Sequence, residues 1–174
     1  MTLEKEQDRT NIVDFPRFGE CSYLDSEVIE FPWGLPGFGH LRNFVVLQVA
    51  GQEGFIWLQS LDDVNTALPL ADPWSIFADY DPHLPQYAKV ALALDKPEEF
   101  IILCVVVVTK NAAEMTMNLM APVVINLKTR IGRQVMLEAG DYSVRTPLPR
   151  LSSAPLDDRG ASGDSNDESE VISP

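Results

Sequence analysis

Few side chains in this chain are of a type and spacing that could do chemistry. The histidines are His40 and His83. They stand far apart, and neither has a companion at the two- or four-residue spacing that metal ligation on one strand or helix requires. Asp62 and Asp63 are an adjacent carboxylate pair that could hold a hard cation, but no His or Cys accompanies them, and a solvated turn is the simpler reading. Cys21 and Cys104 are distant in sequence, with Cys104 inside an apolar run, so reduced thiols are the default. A Cys–His pair such as Cys21 with His40 has nothing specific to recommend it. The run Gly34 to Gly39 has the glycine content of a phosphate loop. It lacks the Gly-Lys-Ser/Thr ending, opens no helix and carries bulky residues, so that chemistry is rejected. Met115, Met117 and Met120 read as core filler. No nucleophile with its base, no acid pair in a pocket and no ligand set emerges. The reading is a protein without enzymatic activity, cofactor or metal.

Charge points instead to partners. The 174 residues hold 26 Asp plus Glu against 13 Lys plus Arg, a formal net charge of −13. Residues 151 to 174 carry six acids and one base, so −5 belongs to that tail and −8 to residues 1 to 150. Such a balance disfavours direct contact with nucleic acid and favours a basic protein partner. The start is polar and unlike a signal peptide, and the longest apolar run, Phe100 to Val108, is about half of a membrane span. The expected location is the cytoplasm, with no membrane contact.

The length supports one domain. Residues 1–14 lack periodicity and read as a flexible N-terminal arm. Residues 15–150 read as the folded unit, and residues 151–174, rich in Pro, Ser, Gly and Asp, as a disordered acidic tail. Within the unit, Val28 to Phe31 reads as a strand, and Phe44 to Val49 with Phe55 to Gln59 as a hairpin. Pro32 to Gly39 is an irregular loop whose Trp33, Leu35 and Phe38 should pack inward. Asp72-Pro73 is a helix start, with a short helix over Trp74 to Tyr80. Ala88 to Leu94 reads as an alternating strand, and Asp95 to Glu99 as a capped helical turn. Phe100 to Thr109 is rich in β-branched residues and reads as a strand buried on both faces, or one long enough to bend between two sides of a closed sheet. Arg133 to Leu137 and Tyr142 to Thr146 are the last strands, with a tight turn at Ala139 to Asp141.

The stretch Thr116 to Asn126 organises the rest. Met115, Met117, Leu119, Ala121, Val123 and Ile125 fall on one side of a two-residue period. Thr116, Asn118, Met120, Pro122, Val124 and Asn126 fall on the other. This fits one strand, or two broken at Pro122, which belongs at an edge, a bulge or a strand start. Asn118 and Asn126 suit strand ends, where they can bond local backbone. About eight short strands joined by turns make a mainly β fold, a small antiparallel β-barrel-like domain with one or two short helices.

Thr116-Met-Asn-Leu-Met-Ala-Pro-Val-Val-Ile-Asn126, with Gln134-Val-Met-Leu137 and Tyr142, resembles the signature of the flagellar assembly factor FliW family. Ile29-Glu-Phe-Pro-Trp-Gly-Leu-Pro-Gly-Phe38, Phe55-Ile-Trp-Leu-Gln-Ser-Leu-Asp62 and Ala71-Asp-Pro73 resemble its earlier segments, in order, so the likeness spans residues 23 to 148. Gly39-His40 stands where the family often has an acid, and Thr66-Ala-Leu-Pro69 lacks an expected Phe. The resemblance implies a small β-barrel-like protein that binds the translational repressor CsrA away from its RNA site and relieves repression of flagellin synthesis. It also implies binding to flagellin in exclusive competition with CsrA, by a protein that is a monomer when free. Partner contacts are expected at Gly34, Leu35, Phe38, Asp62, Asn118 and Asn126, the motif-matched positions in loops or on the mixed face. The alternatives are a small-molecule-binding β-barrel without a regulatory partner and an acidic mimic of nucleic acid that blocks the RNA groove directly.

Overall fold

A computed structural model of the chain describes residues 8–138 and 140–149. The expected acidic tail, and the Ala139 position of the expected tight turn, lie outside the described residues.

The strands are β1 (Thr10–Phe15), β2 (Gly19–Leu24), β3 (Ile29–Glu30), β4 (Asn43–Leu47), β5 (Ile56–Ser60) and β6 (Ala67–Ala71). They continue with β7 (Phe100–Val107), β8 (Thr116–Met117), β9 (Val123–Asn126), β10 (Ile131–Gln134) and β11 (Thr146–Pro147); the helix α1 is Gln86–Ala91. Seven of them, in the order β7-β6-β5-β4-β3-β10-β9, close on themselves because β9 pairs back onto β7. Closure removes the open edges that a sheet of this size would otherwise expose. The pairs are antiparallel except for the single β3–β10 bridge, Ile131 opposite Glu30, which is parallel.

Strand β7 does two jobs along its length. Phe100 to Leu103 pair with β9 and close the barrel, while Val106 and Val107 pair with β8, which carries β11. Its β-branched run thus bends between two sides of the sheet, as its composition suggests. The barrel interior is filled by Ile29, Phe31, Leu35, Leu41, Phe44, Leu58, Leu70, Leu103, Val123 and Ile125. A second cluster holds Tyr80, Cys104, Met115, Met117 and Leu119 under the β8–β11 flap. A third lies beneath α1 and includes Ala88, Leu92, Val124 and Val135.

The central stretch breaks where proline predicts. Pro122 directly precedes β9, and its carbonyl accepts from the Val135 N–H at 2.8 Å. All six residues on the apolar side, Met115 through Ile125, are buried. Past Pro122 the other side is buried as well, because α1 covers Val124.

Several expectations are corrected. Residues 10–14 of the expected arm form β1, whose Asn11, Val13 and Phe15 turn inward while Ile12 points out and β2 pairs alongside. The hairpin docks through Phe18, whose ring stands 5.3 Å from that of Trp57. Ala88 to Leu94 is not a strand: α1 occupies it, because Ala88 and Leu92, one helical turn apart, share the buried face, and Val90 is exposed. The helix expected over Trp74 to Tyr80 is only a 3-10 turn at Pro73–Ser75. Asp72 does cap it, accepting from the Trp74 N–H at 3.0 Å. The chain then curls away so that the Trp74 indole donates to the Tyr80 carbonyl at 2.7 Å and the Tyr80 hydroxyl reaches the Leu119 carbonyl at 2.8 Å. The strand expected over Tyr142 to Thr146 shrinks to β11, since the Ser143 carbonyl already serves the Leu119 and Met120 N–H groups. Leu35 and Phe38 pack inward, but Trp33 is 48% exposed.

Candidate protein-interaction site

The Pro32–Gly39 loop closes on itself before it presents anything. Gly34 sits at φ +65, and a Cβ there would meet the Arg42 guanidinium and the Gly39 backbone within 2.5–2.9 Å, so only glycine fits. The Phe38 N–H donates to the Leu35 carbonyl at 2.8 Å and the Leu41 N–H to Phe38 at 3.0 Å, which pins Leu35 into the barrel mouth. Arg42 ties this loop to the next one. Its guanidinium donates to the Gly39 carbonyl, and its backbone N–H donates to Asp62 Oδ2 at 2.6 Å. The Asn43 backbone and amide donate to the same carboxylate at 2.8 and 3.0 Å. Of the six expected contact positions, Gly34 and Asp62 therefore meet at Arg42, a residue the sequence did not single out, while Leu35 and Phe38 belong to the loop it ties down. The partners of Arg42 lie 3 and 20 residues away, a separation no local pattern reveals.

Asn118 and Asn126 lie elsewhere. Asn118 is half-buried and accepts from the Ala121 N–H at 2.9 Å, shaping the turn into Pro122. Asn126 is 1% exposed, with its amide wholly engaged by backbone. Their side chains serve the fold, and any bearing on a partner runs through the loops they hold.

Burial pushes the Asp62 carboxyl up, but the Arg42 and Asn43 hydrogen bonds and the Arg42 charge more than offset it and carry it below the ordinary carboxylate range. A depressed folded value means that Asp62 contributes stability above the unfolded carboxylate value, about 3.9, and loses it as pH falls through the folded one. Asp62→Asn is therefore expected to lower Tm at neutral pH, with a gap to the native chain that narrows steadily in acid. Thermal melts of both proteins across pH 7 to 3 check this, and a gap that widens in acid would contradict it.

The chemically versatile groups are scattered. His83 is paired only with exposed Asp81, at 3.7 Å. Burial pushes the Cys104 thiol up to about 12, and the Asp72 charge adds to the shift, which leaves it inert at neutral pH. Among the described residues no three His, Cys, Asp or Glu side chains gather closely enough to hold a metal ion. A depression of about 390 Å³ bordered by Ile76, Phe77, Asp79, Leu119 and Tyr142 is open to solvent. There the Tyr80 hydroxyl donates to the Leu119 carbonyl, and the Tyr142 hydroxyl accepts from the Asp81 N–H at 2.9 Å. No helix among the described residues is long and apolar enough to cross a membrane.

The architecture places the chain among small closed β-barrels whose polar side chains fix their surface loops. The family model described as "FliW protein" matches residues 12–148. The flagellar assembly factor FliW of Clostridium tetani is 35% identical over 130 residues, 75% of this chain and 90% of that one. The FliW of Carboxydothermus hydrogenoformans is 37% identical over 134 residues, 77% and 86%. A crystal structure of the flagellar assembly factor FliW superposes with a TM-score of 0.72 at 27% identity, covering 79% of this chain and 96% of its own. The chain belongs to the FliW family of flagellar assembly factors.

Proposed function

We propose that this protein is a cytoplasmic partner switch in flagellar assembly. It binds the translational repressor CsrA outside the RNA-binding groove and so relieves repression of flagellin synthesis. It binds flagellin in exclusive competition, so that export of flagellin frees it to silence CsrA. Family membership over residues 12–148 carries the reading. The charge supports it: the chain bears −13, and among the described residues the ion pair His83–Asp81 is the only one within 4.0 Å. The described acids are therefore little neutralised by ion pairing, a surface suited to a basic RNA-binding partner and to rapid encounter with it. Mutually exclusive binding suffices for the switch, because each ligand lowers the apparent affinity for the other by mass action.

The contact surface in this reading is formed by Gly34, Phe38 and Asp62 beside Arg42, with buried Leu35 anchoring their loop in the barrel and Asn118 and Asn126 holding neighbouring loops in place. The free protein is a monomer, and the tail beyond residue 150 is a solubilising appendage. The small-molecule alternative finds little support, since the depression by Tyr142 is open to solvent and not an enclosed pocket. Calorimetric titration with CsrA from the same organism, repeated with flagellin present, tests the switch. Heat with CsrA that flagellin abolishes is the expected result. Silence with both partners would overturn the reading.

A further inference from the structure

Three side chains from three separate elements meet on the outer surface beside the Pro32–Gly39 loop. Trp33 comes from the loop after β3, Tyr87 from the first turn of α1, and Arg133 from β10. The Arg133 guanidinium carbon lies 4.5 Å from the centre of the Trp33 ring and 5.0 Å from that of Tyr87. Trp33 and Tyr87 are 48% and 43% exposed, whereas Phe31 and Phe44 nearby are wholly buried. These two aromatics are spent on the guanidinium and not on the core.

Both rings pack against the guanidinium, and no hydrogen bond among the described residues engages its N–H groups. Among the described residues no carboxylate lies within ion-pair distance of it. This is unusual in a chain with twice as many acids as bases. An arginine packed against aromatic rings has already lost much of its rotamer freedom, so a ligand that meets its fork loses less. The group that matches the fork is a planar carboxylate. A phosphate dianion suits it less well, because a single cation must then hold two charges against a net −13. The Trp33 and Tyr87 rings, together with Val90, which is 69% exposed and three residues on from Tyr87 along α1, offer apolar surface beside the fork.

We infer that Trp33, Tyr87 and Arg133 form a receptor for a Glu or Asp side chain of a partner protein, with an apolar neighbour of that acid lying over Tyr87 and Val90. The occupant is thus an acidic-apolar segment, chemically opposite to the basic partner that the acids of this chain suit. The receptor goes beyond the partner-switch reading and does not depend on it.

The test is an NMR titration of the full chain with the capped peptide Leu-Glu-Leu and, separately, with Leu-Gln-Leu. The Trp33 indole and Arg133 guanidinium signals report. The Glu peptide is expected to shift both with millimolar affinity, and the Gln peptide to bind at least about tenfold more weakly. Arg133→Lys keeps the charge but loses the fork and the stack, and should weaken the Glu peptide by about tenfold. If that variant melts early, Trp33→Leu, which removes one face of the stack from an exposed site, takes its place with the same expectation. Equal shifts with both peptides would overturn the inference. So would no shift at peptide concentrations about ten times the millimolar range, or inorganic phosphate shifting the same signals at lower concentration than the Glu peptide.

Discussion

Gly132→Ala is expected to destabilise the protein by about 1–3 kcal/mol, lowering Tm by roughly 3 to 10 °C, although alanine is ordinarily the better strand residue. A Cβ at Gly132 would lie 2.7 and 2.8 Å from two carbons of the Phe31 ring and closer still to Cζ. Phe31 has little room to retreat. It is wholly buried, its ring stands edge-on to Phe44 at 5.1 Å, and its N–H is bonded to the Arg42 carbonyl at 2.7 Å. Gly132 is equally fixed, paired with Ile125 in the β9–β10 ladder that closes the barrel. The clash can be isolated by urea denaturation of Gly132→Ala, Phe31→Leu and the double variant. Leucine at 31 makes room, so alanine at 132 should cost at least about 0.5 kcal/mol less in that background. An unchanged midpoint for Gly132→Ala alone would mean that the ring yields freely and the close approach is not a constraint.

What the sequence could and could not disclose divides along the range of the interactions involved. Local grammar was legible: Asp72-Pro73 does cap a turn, Pro122 does start a strand, and the glycine-rich Pro32–Gly39 segment is an ordered loop. Ala88 to Leu94 misled because its alanines and leucines satisfy a two-residue period and a 3.6-residue one alike. Only the third core cluster, with Val124 and Val135 waiting for a cover, decides for the helix. The constraint on Gly132 is invisible to local pattern, since its reason is a ring about a hundred residues earlier. The site shows the same division. Motif likeness proposes Gly34, Leu35, Phe38 and Asp62, whereas the Arg42–Asp62 tie and the Trp33–Arg133–Tyr87 cluster arise from contacts between elements distant along the chain. An exposed tryptophan in a loop is indistinguishable by type from one that anchors it.

Asn126→Ala is expected to cost about 2–4 kcal/mol and to release one element selectively. The Asn126 amide donates to the Leu92 carbonyl at 2.8 Å and the Ala93 carbonyl at 3.1 Å, at the end of α1. Its oxygen accepts from the Lys128 and Thr129 N–H groups at 2.9 and 3.0 Å, in the turn between β9 and β10. One buried side chain thus bolts the helix to the barrel. Lys128 and Thr129 are exposed, so water can replace their lost acceptor. Leu92 is 1% exposed, and its carbonyl would lose a donor that solvent cannot readily supply. Asn126→Asp keeps the acceptor but sets a carboxylate against two carbonyls, and should cost at least as much. Hydrogen exchange separates a bolt from a general core residue. Amides of Gln86–Ala91 should exchange much faster in Asn126→Ala, while those of the β4–β5 hairpin should change only as far as global stability falls. A uniform loss of protection would show that Asn126 supports the barrel as a whole. Selective release of α1 has a consequence at the surface, because Tyr87 rides on that helix. The stack on Arg133 would lose one of its two aromatic faces, and affinity for an acidic peptide should fall with it, although no residue of the receptor has been changed.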